Sequence, residues 1–159
     1  MNNQFIKHQQ FPVSIDVLWK FISSPNNLNL ITPPNMQFVI KTKELPEEIY
    51  SGLEINYTVS PILNIPLSWT TKILEVKEPY FFIDTQLKGP YAYWQHKHTL
   101  KEISGGTEMQ DEITYRVPFF FVGDIANKIF VRKKLESIFH YRQLKMEAIF
   151  GRLQAGIST

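Results

Sequence analysis

Cysteine is absent from the 159 residues. That excludes a disulfide framework, a thiolate nucleophile and any cysteine-ligated metal, and it fits a reducing compartment. An excess of one charge is missing too: 17 Lys and Arg stand against 15 Asp and Glu, a formal net charge of +2. The single basic run is Arg132-Lys133-Lys134, read as a solvated helix face, so no nucleic-acid partner is expected. No apolar run approaches the ~20 residues that cross a bilayer, and no stable membrane insertion is expected. The opening MNNQFIKHQQF has neither an apolar centre nor a small-residue cleavage site, so no signal peptide is expected and the cytoplasm is the expected location. Gly-rich phosphate loops, nucleophile elbows and HExxH are likewise missing, and with no activated nucleophile in view an enzyme is the less favoured reading.

Aromatic rings, by contrast, are plentiful: 12 Phe, 7 Tyr and 3 Trp make 14% of the chain. They supply large contact areas with few rotatable bonds, which suits a thick core or a pocket for flat apolar molecules. At 18.7 kDa the chain is expected to form one domain over residues 1–159, large enough to bury a core.

The most informative stretch is YAYWQHKHTLKEISGGTEMQDEITYRV, Tyr91 to Val117. A period of two puts Trp94, His96, His98 and Leu100 on one face of the first arm, and Met109, Asp111, Ile113, Tyr115 and Val117 on one face of the second. Ser104-Gly105-Gly106 between the arms predicts an antiparallel hairpin. Pairing Ile103 with Gly106 sets His98 opposite Asp111 and His96 opposite Ile113. A slip of two residues keeps both faces but makes His98 and Asp111 diagonal neighbours. Either register yields an apolar surface carrying two imidazoles and a carboxylate, the composition of a cavity wall.

Around the hairpin, Asn3 to Phe11 predicts an edge strand closed by Pro12. Ser14 caps a helix carrying Val17, Leu18, Phe21 and Ile22, Pro25 stops it, and a second short helix is expected over 26–31. Further strands are predicted over 38–43, 53–59, 67–77 and 80–87. From Asp124 the period becomes helical. Ile125, Ile129, Leu135, Ile138, Phe139, Met146, Ile149 and Phe150 form a stripe, Arg142 is counted with the polar residues between them, and Gly151 terminates the helix. Such a helix, roughly 40 Å long, buries its stripe only by lying across the concave face of the strands. Phe119-Phe120-Phe121 is expected as a buried lead-in.

Several residues are candidates for chemistry. Tyr57, Trp69, Trp94, Tyr115 and Phe139 are expected to line a ligand site, with His96, His98 and Asp111 orienting the ligand. His96 and His98 could share a metal with Asp111 as third ligand. The favoured reading is instead a structural hydrogen bond from His98 to Asp111, since an inward carboxylate must be paired or wet; no metal and no cofactor are expected. Acid-base work by these three residues stands between the two readings. Asp84 and Gln86 share a face whose direction the pattern leaves open.

Strand, two short helices, an antiparallel run and one long terminal helix is the helix-grip order. On VLWKFISSPNNLNLITPP (Val17–Pro34), DTQLKGPYAYWQHKH (Asp84–His98), GTEMQDEITYRVPF (Gly106–Phe119) and LESIFHYR (Leu135–Arg142), the chain resembles the SRPBCC superfamily. That superfamily includes START lipid-transfer domains, the birch pollen allergen group and aromatic polyketide cyclases. Residues 5 to 150 are most similar to small bacterial SRPBCC proteins labelled as polyketide cyclase or cell-division-inhibitor-like. The resemblance implies an α+β fold, a curved antiparallel sheet of six to seven strands wrapped around the C-terminal helix. It also implies a hydrophobic small-molecule partner such as a lipid, polyketide or aromatic metabolite. The alternatives it leaves are a cyclase or dehydratase using a cavity histidine, and a protein-interaction module with a collapsed cavity. It groups Asp84 with the histidines as one signature, so that Asp84 and Gln86 would enter the pocket or brace a loop. A monomer and a homodimer both fit.

Overall fold

The computed structural model describes residues 2–60, 65–118 and 124–153, with side chains of the last segment described from residue 129. Seven antiparallel strands form one sheet: β1 (Asn3–Phe11), β2 (Val39–Ile40), β3 (Glu54–Val59), β4 (Leu67–Lys77), β5 (Phe81–Lys88), β6 (Tyr93–Ile103) and β7 (Gly106–Arg116). Their spatial order is β1-β7-β6-β5-β4-β3-β2, so the first two strands in sequence lie at opposite edges. The chain crosses between those edges through helix α1 (Ile15–Ile22) and two short 3-10 turns, Pro25–Asn27 and Pro34–Met36. It then meanders back to β7, which pairs with β1.

Local chemistry accounts for these elements. Ser14 Oγ accepts from Val17 N at 3.4 Å, and Asp16 places a negative charge at the positive end of α1. The second helix expected over 26–31 shrinks to the 3-10 turn Pro25–Asn27. Asn27 Nδ2 donates back to Phe21 O, and the Thr32 hydroxyl donates to Leu28 O, contacts that close turns rather than extend a helix. The strand expected over 38–43 keeps only Val39 and Ile40. Beyond them Lys41 N and Thr42 N both donate to Asn56 O, and Thr42 Oγ1 takes Asn56 N–H, so the ladder stops. In β4 the register against β5 shifts at Thr70/Thr71 and at Ile73/Glu75. These bulges turn Leu74 to solvent and return Val76 to the core side, which explains the imperfect alternation of this strand and bends the sheet.

The hairpin adopts the register in which Ile103 faces Gly106, so Leu100 meets Met109, His98 meets Asp111, His96 meets Ile113 and Trp94 meets Tyr115. Gly105 turns the chain at φ +81, a left-handed conformation that disfavours a side chain. Gly106 is fixed for a different reason: a Cβ there would lie 1.9 Å from the Phe11 carbonyl oxygen.

Helix α2 (Asp124–Phe150) lies across the concave face and ends at Gly151, φ +84. Met146 packs with Phe11, Leu18 and Met109 at one end; Leu135 and Phe139 pack with Phe5 and Ile113 at the other. Two residues assigned to its apolar stripe do not belong there, since Ile129 is 51% and Ile149 48% exposed. The side chain of Ile125, Gly123 and the run Phe119-Phe120-Phe121 lie outside the described residues. No described helix is long and apolar enough to cross a membrane.

Candidate functional site

Between the two packed ends the helix and sheet part, leaving a cavity of about 210 Å³. Its walls are mainly aromatic and aliphatic. Tyr57, Trp69, Trp94, His96, His98 and Phe139, all expected there, line it. Tyr115 and Asp111 do not. Tyr115 packs behind the wall with Phe5, Ile113 and Leu135, and Asp111 sits beneath the two imidazoles, fully excluded from solvent. The physical reason is depth: β7 lies next to the sheet edge, where Leu135 and Phe139 pack with Ile113 and Tyr115, and the two imidazoles bonded to Asp111 stand between it and the cavity.

One half of the cavity is an aromatic box. Tyr57 stacks on Trp69 with centroids 5.9 Å apart, Trp94 meets Trp69 edge-on at 5.4 Å, and Tyr91 leans on Trp94 at 4.8 Å. The polar tips of Tyr57 and Trp69 are anchored by Thr71, whose hydroxyl accepts from Trp69 Nε1 at 3.1 Å and hydrogen-bonds the Tyr57 hydroxyl at 2.9 Å. Burial pushes the Tyr57 hydroxyl pKa well above its ordinary value, against the smaller opposing effect of the Thr71 hydrogen bond. Burial and the neighbouring Tyr115 raise Tyr91 as well.

The other half holds charge, brought together by register across three adjacent strands. Asp84 of β5 faces His96 of β6, and His98 of β6 faces Asp111 of β7. Asp111 Oδ1 accepts from His96 Nε2 and from His98 Nδ1, each at 2.9 Å, so the hydrogen bond expected for His98 is shared by both rings. The opposite ring nitrogens point toward Asp84: His98 Nε2 lies 3.4 Å and His96 Nδ1 3.9 Å from Asp84 Oδ2. The rings themselves sit 3.7 Å apart, and His98 stacks on Phe82 at 4.1 Å.

The two imidazoles respond in opposite directions. Burial lowers the His96 pKa, and repulsion from His98 adds to that effect, outweighing the pull of Asp111. Burial also acts against protonated His98, but hydrogen bonds to Asp111 and then Asp84 prevail and raise it. For Asp111, burial favours the neutral acid, yet the hydrogen bonds from His96 and His98 hold the carboxyl far below the usual carboxylate range.

Two cavity residues change the picture drawn from sequence. Asp84 enters the cavity, while Gln86 braces the following turn, donating Nε2–H to Tyr91 O at 2.8 Å and accepting Tyr91 N–H at 3.3 Å. Arg142, counted with the polar residues of α2, also lines the cavity. Its Nη1 lies 4.0 Å from Asp111 Oδ1, its Cζ lies 4.8 Å from the Phe139 ring centroid, and its buried Nε has no hydrogen-bond partner among the described residues. The signal was its spacing, because residues 135, 139, 142 and 146 advance by four, three and four along one helical face. Of the basic run, Arg132 pairs with Glu136 in solvent, but Lys134 reaches the cavity lining.

No family model matches the chain, and no curated protein matches it in sequence. Solved structures do match in shape. Ginseng major latex-like protein 151 from Panax ginseng superposes with a TM-score of 0.68 at 14% identity, over 94% of this chain and 98% of that one. Protein Ms6760 from Mycobacterium smegmatis gives 0.66 at 15% identity over 92% and 89%, and Ara h 8.0201 gives 0.64 at 17% over 90% and 96%. The likeness establishes the helix-grip fold expected from the order of elements.

Proposed function

We propose that this helix-grip chain binds an apolar small molecule carrying one polar end, a lipid, polyketide or aromatic metabolite, in a reducing, cytoplasmic setting. The observation that supports this reading is the division of the cavity into an aromatic box and a charged end. About 210 Å³ exceeds the ~150 Å³ that accommodates a benzene ring in an apolar protein cavity. A guest there would bury its apolar part against Trp69, Trp94 and Ile138, gaining ~25 cal/mol per Å² before ordering costs. Its polar end would meet Asp84, the imidazoles or Arg142, which reward a hydrogen-bonding group and penalise a purely hydrocarbon one.

Trp69 and Trp94 make the test direct. Titration with fatty acids and polycyclic aromatics, some bearing a hydroxyl or carbonyl, should change tryptophan fluorescence saturably, with the polar-ended members binding tighter. Absence of saturable binding across such a panel refutes the proposal. A second reading, proton transfer on a carbonyl substrate by a cavity imidazole, is favoured by His98 Nε2 facing the cavity beside Asp84. Turnover abolished by His98→Gln with binding intact would support it over simple carriage. The interaction-module reading requires a filled interior, and the open volume counts against it.

A further inference from the structure

The charged end of the cavity has an organisation that ligand binding alone does not require. One atom each from Asp84, His96 and His98 lies within 4.8 Å of the others. The nitrogens directed at Asp84 are His96 Nδ1 and His98 Nε2, and the remaining two are both held by one oxygen of Asp111. We propose that Asp84, His96 and His98 form a binding site for a divalent first-row transition-metal ion of the zinc class, with Asp111 as the carboxylate that orients both imidazoles from behind.

Four observations carry this. First, the donor set is two imidazoles and one carboxylate, which suits zinc and its neighbours and not the all-oxygen preference of magnesium or calcium. Secondly, the spacing fits. Ligands ~2.0–2.1 Å from a tetrahedral ion stand about 3.4 Å from one another. The His98–Asp84 pair already stands at 3.4 Å, the His96–Asp84 pair at 3.9 Å must close by about half an ångström, and the two imidazole nitrogens, within 4.8 Å of each other, close by at most about 1.4 Å through small ring rotations. Thirdly, a ligating histidine nearly always donates its other ring N–H to a carboxylate or carbonyl, which fixes tautomer and tilt. Asp111 does this for both rings at once, and a carboxylate excluded from solvent is costly unless such a duty compensates it. Fourthly, the carboxylates bracket the imidazoles, Asp84 on the cavity side and Asp111 behind, so an ion that displaces the ring proton facing Asp84 meets two negative charges that offset Arg142 and Lys134 of the same lining.

Three protein ligands leave the remaining coordination positions open, as catalytic and substrate-binding metal sites do and closed structural sites do not. All three ligands line the cavity, so an open position would be available to the polar end of a guest. The proposal does not rest on the guest, because the metal and the apolar probe are measured separately.

The test is titration of the chelator-stripped full chain with Zn²⁺ by calorimetry, and with Co²⁺ by visible absorption, which reports coordination number. One ion per chain is expected, with Co²⁺ bands of four- or five-coordinate intensity. Asp84→Asn should weaken binding at least about tenfold, and Asp111→Asn by about 10–100-fold. The exposed His8 and His140 supply a control, since a His8→Ala/His140→Ala variant should bind as the parent does. Should Asp111→Asn fail to fold, Asp84→Asn and His96→Gln decide the matter. No binding by the parent, or binding that survives Asp84→Asn, overturns the proposal; a fluorescence titration of the metal-free chain with apolar probes then still reports on the cavity by itself.

Discussion

Replacing Asp111 by Asn isolates the energetic centre of the site. The side chain keeps its size and its carbonyl oxygen can still accept from His96 Nε2 and His98 Nδ1, but both hydrogen bonds lose their charge assistance. Hydrogen bonds to an ionised group contribute ~1.5–3 kcal/mol against ~0.5–1.5 for neutral ones, so two of them lose about 2 kcal/mol together. Arg142, 4.0 Å away, loses a counter-charge, which adds about 1 kcal/mol. The expected destabilisation is therefore about 3 kcal/mol, or roughly 6–12 °C in Tm for a chain of this size.

The pH dependence sharpens the test. Asp111 titrates below its unfolded value, so its contribution is complete above the ordinary carboxylate range and is lost as pH falls through the folded value. His98 is raised, so its contribution is complete below about pH 6.5 and is lost as pH rises through the folded value. The difference between parent and variant should peak between about pH 5 and 6.5 and shrink on both sides. Urea unfolding of chelator-treated protein across that range measures it. A difference below about 1 kcal/mol at pH 6, or one that is flat with pH, refutes the assignment of Asp111 as the shared anchor of the two imidazoles.

Ile138→Trp, which fills the cavity from α2, should weaken apolar-probe binding more than tenfold while leaving Tm within a few degrees; parent-like affinity would place the binding elsewhere. Gly106→Ala should cost more than ~2 kcal/mol in thermal unfolding, because its Cβ would strike the Phe11 carbonyl, whereas Gly105→Ala should cost only about 1 kcal/mol for its left-handed backbone. The buried Tyr57 hydroxyl stays neutral in the fold while the unfolded chain ionises near its ordinary value. Stability should therefore fall above about pH 10, and Tyr57→Phe should make that fall shallower by one proton; an unchanged slope would contradict it.

Much of this architecture was legible because short-range patterns were unambiguous. Ser104-Gly105-Gly106 between two strictly alternating arms determined the hairpin, and one of its two candidate registers is the observed one. The break at Pro25 and the helical period ending at Gly151 placed α1 and α2. What escaped was settled by contacts distant in sequence. Asp84 belongs to a strand whose apolar residues occupy both faces, so parity alone gave no direction, and pairing with His96 decides it. Arg142 was masked by its charge, although its place between Phe139 and Met146 put it on the buried stripe, where Asp111 supplies the counter-charge. The two-residue β2 followed from Asn56 and Thr42 consuming each other's hydrogen-bonding groups, which no propensity anticipates.

The placement of β1 and β2 at opposite margins of the sheet has a consequence for how the molecule is made. Residue 3 finds its ladder partner at residue 115, so during synthesis β1 waits, without its mate, until β7 has left the ribosome. The meander from β2 to β7 can zip up from neighbours, but docking β1 closes a loop of about a hundred residues and brings Phe5 and Phe11 under α2 in the same event. Until that pairing forms, the β7 or β6 margin of the sheet is bare, the kind of unpaired edge that invites aggregation.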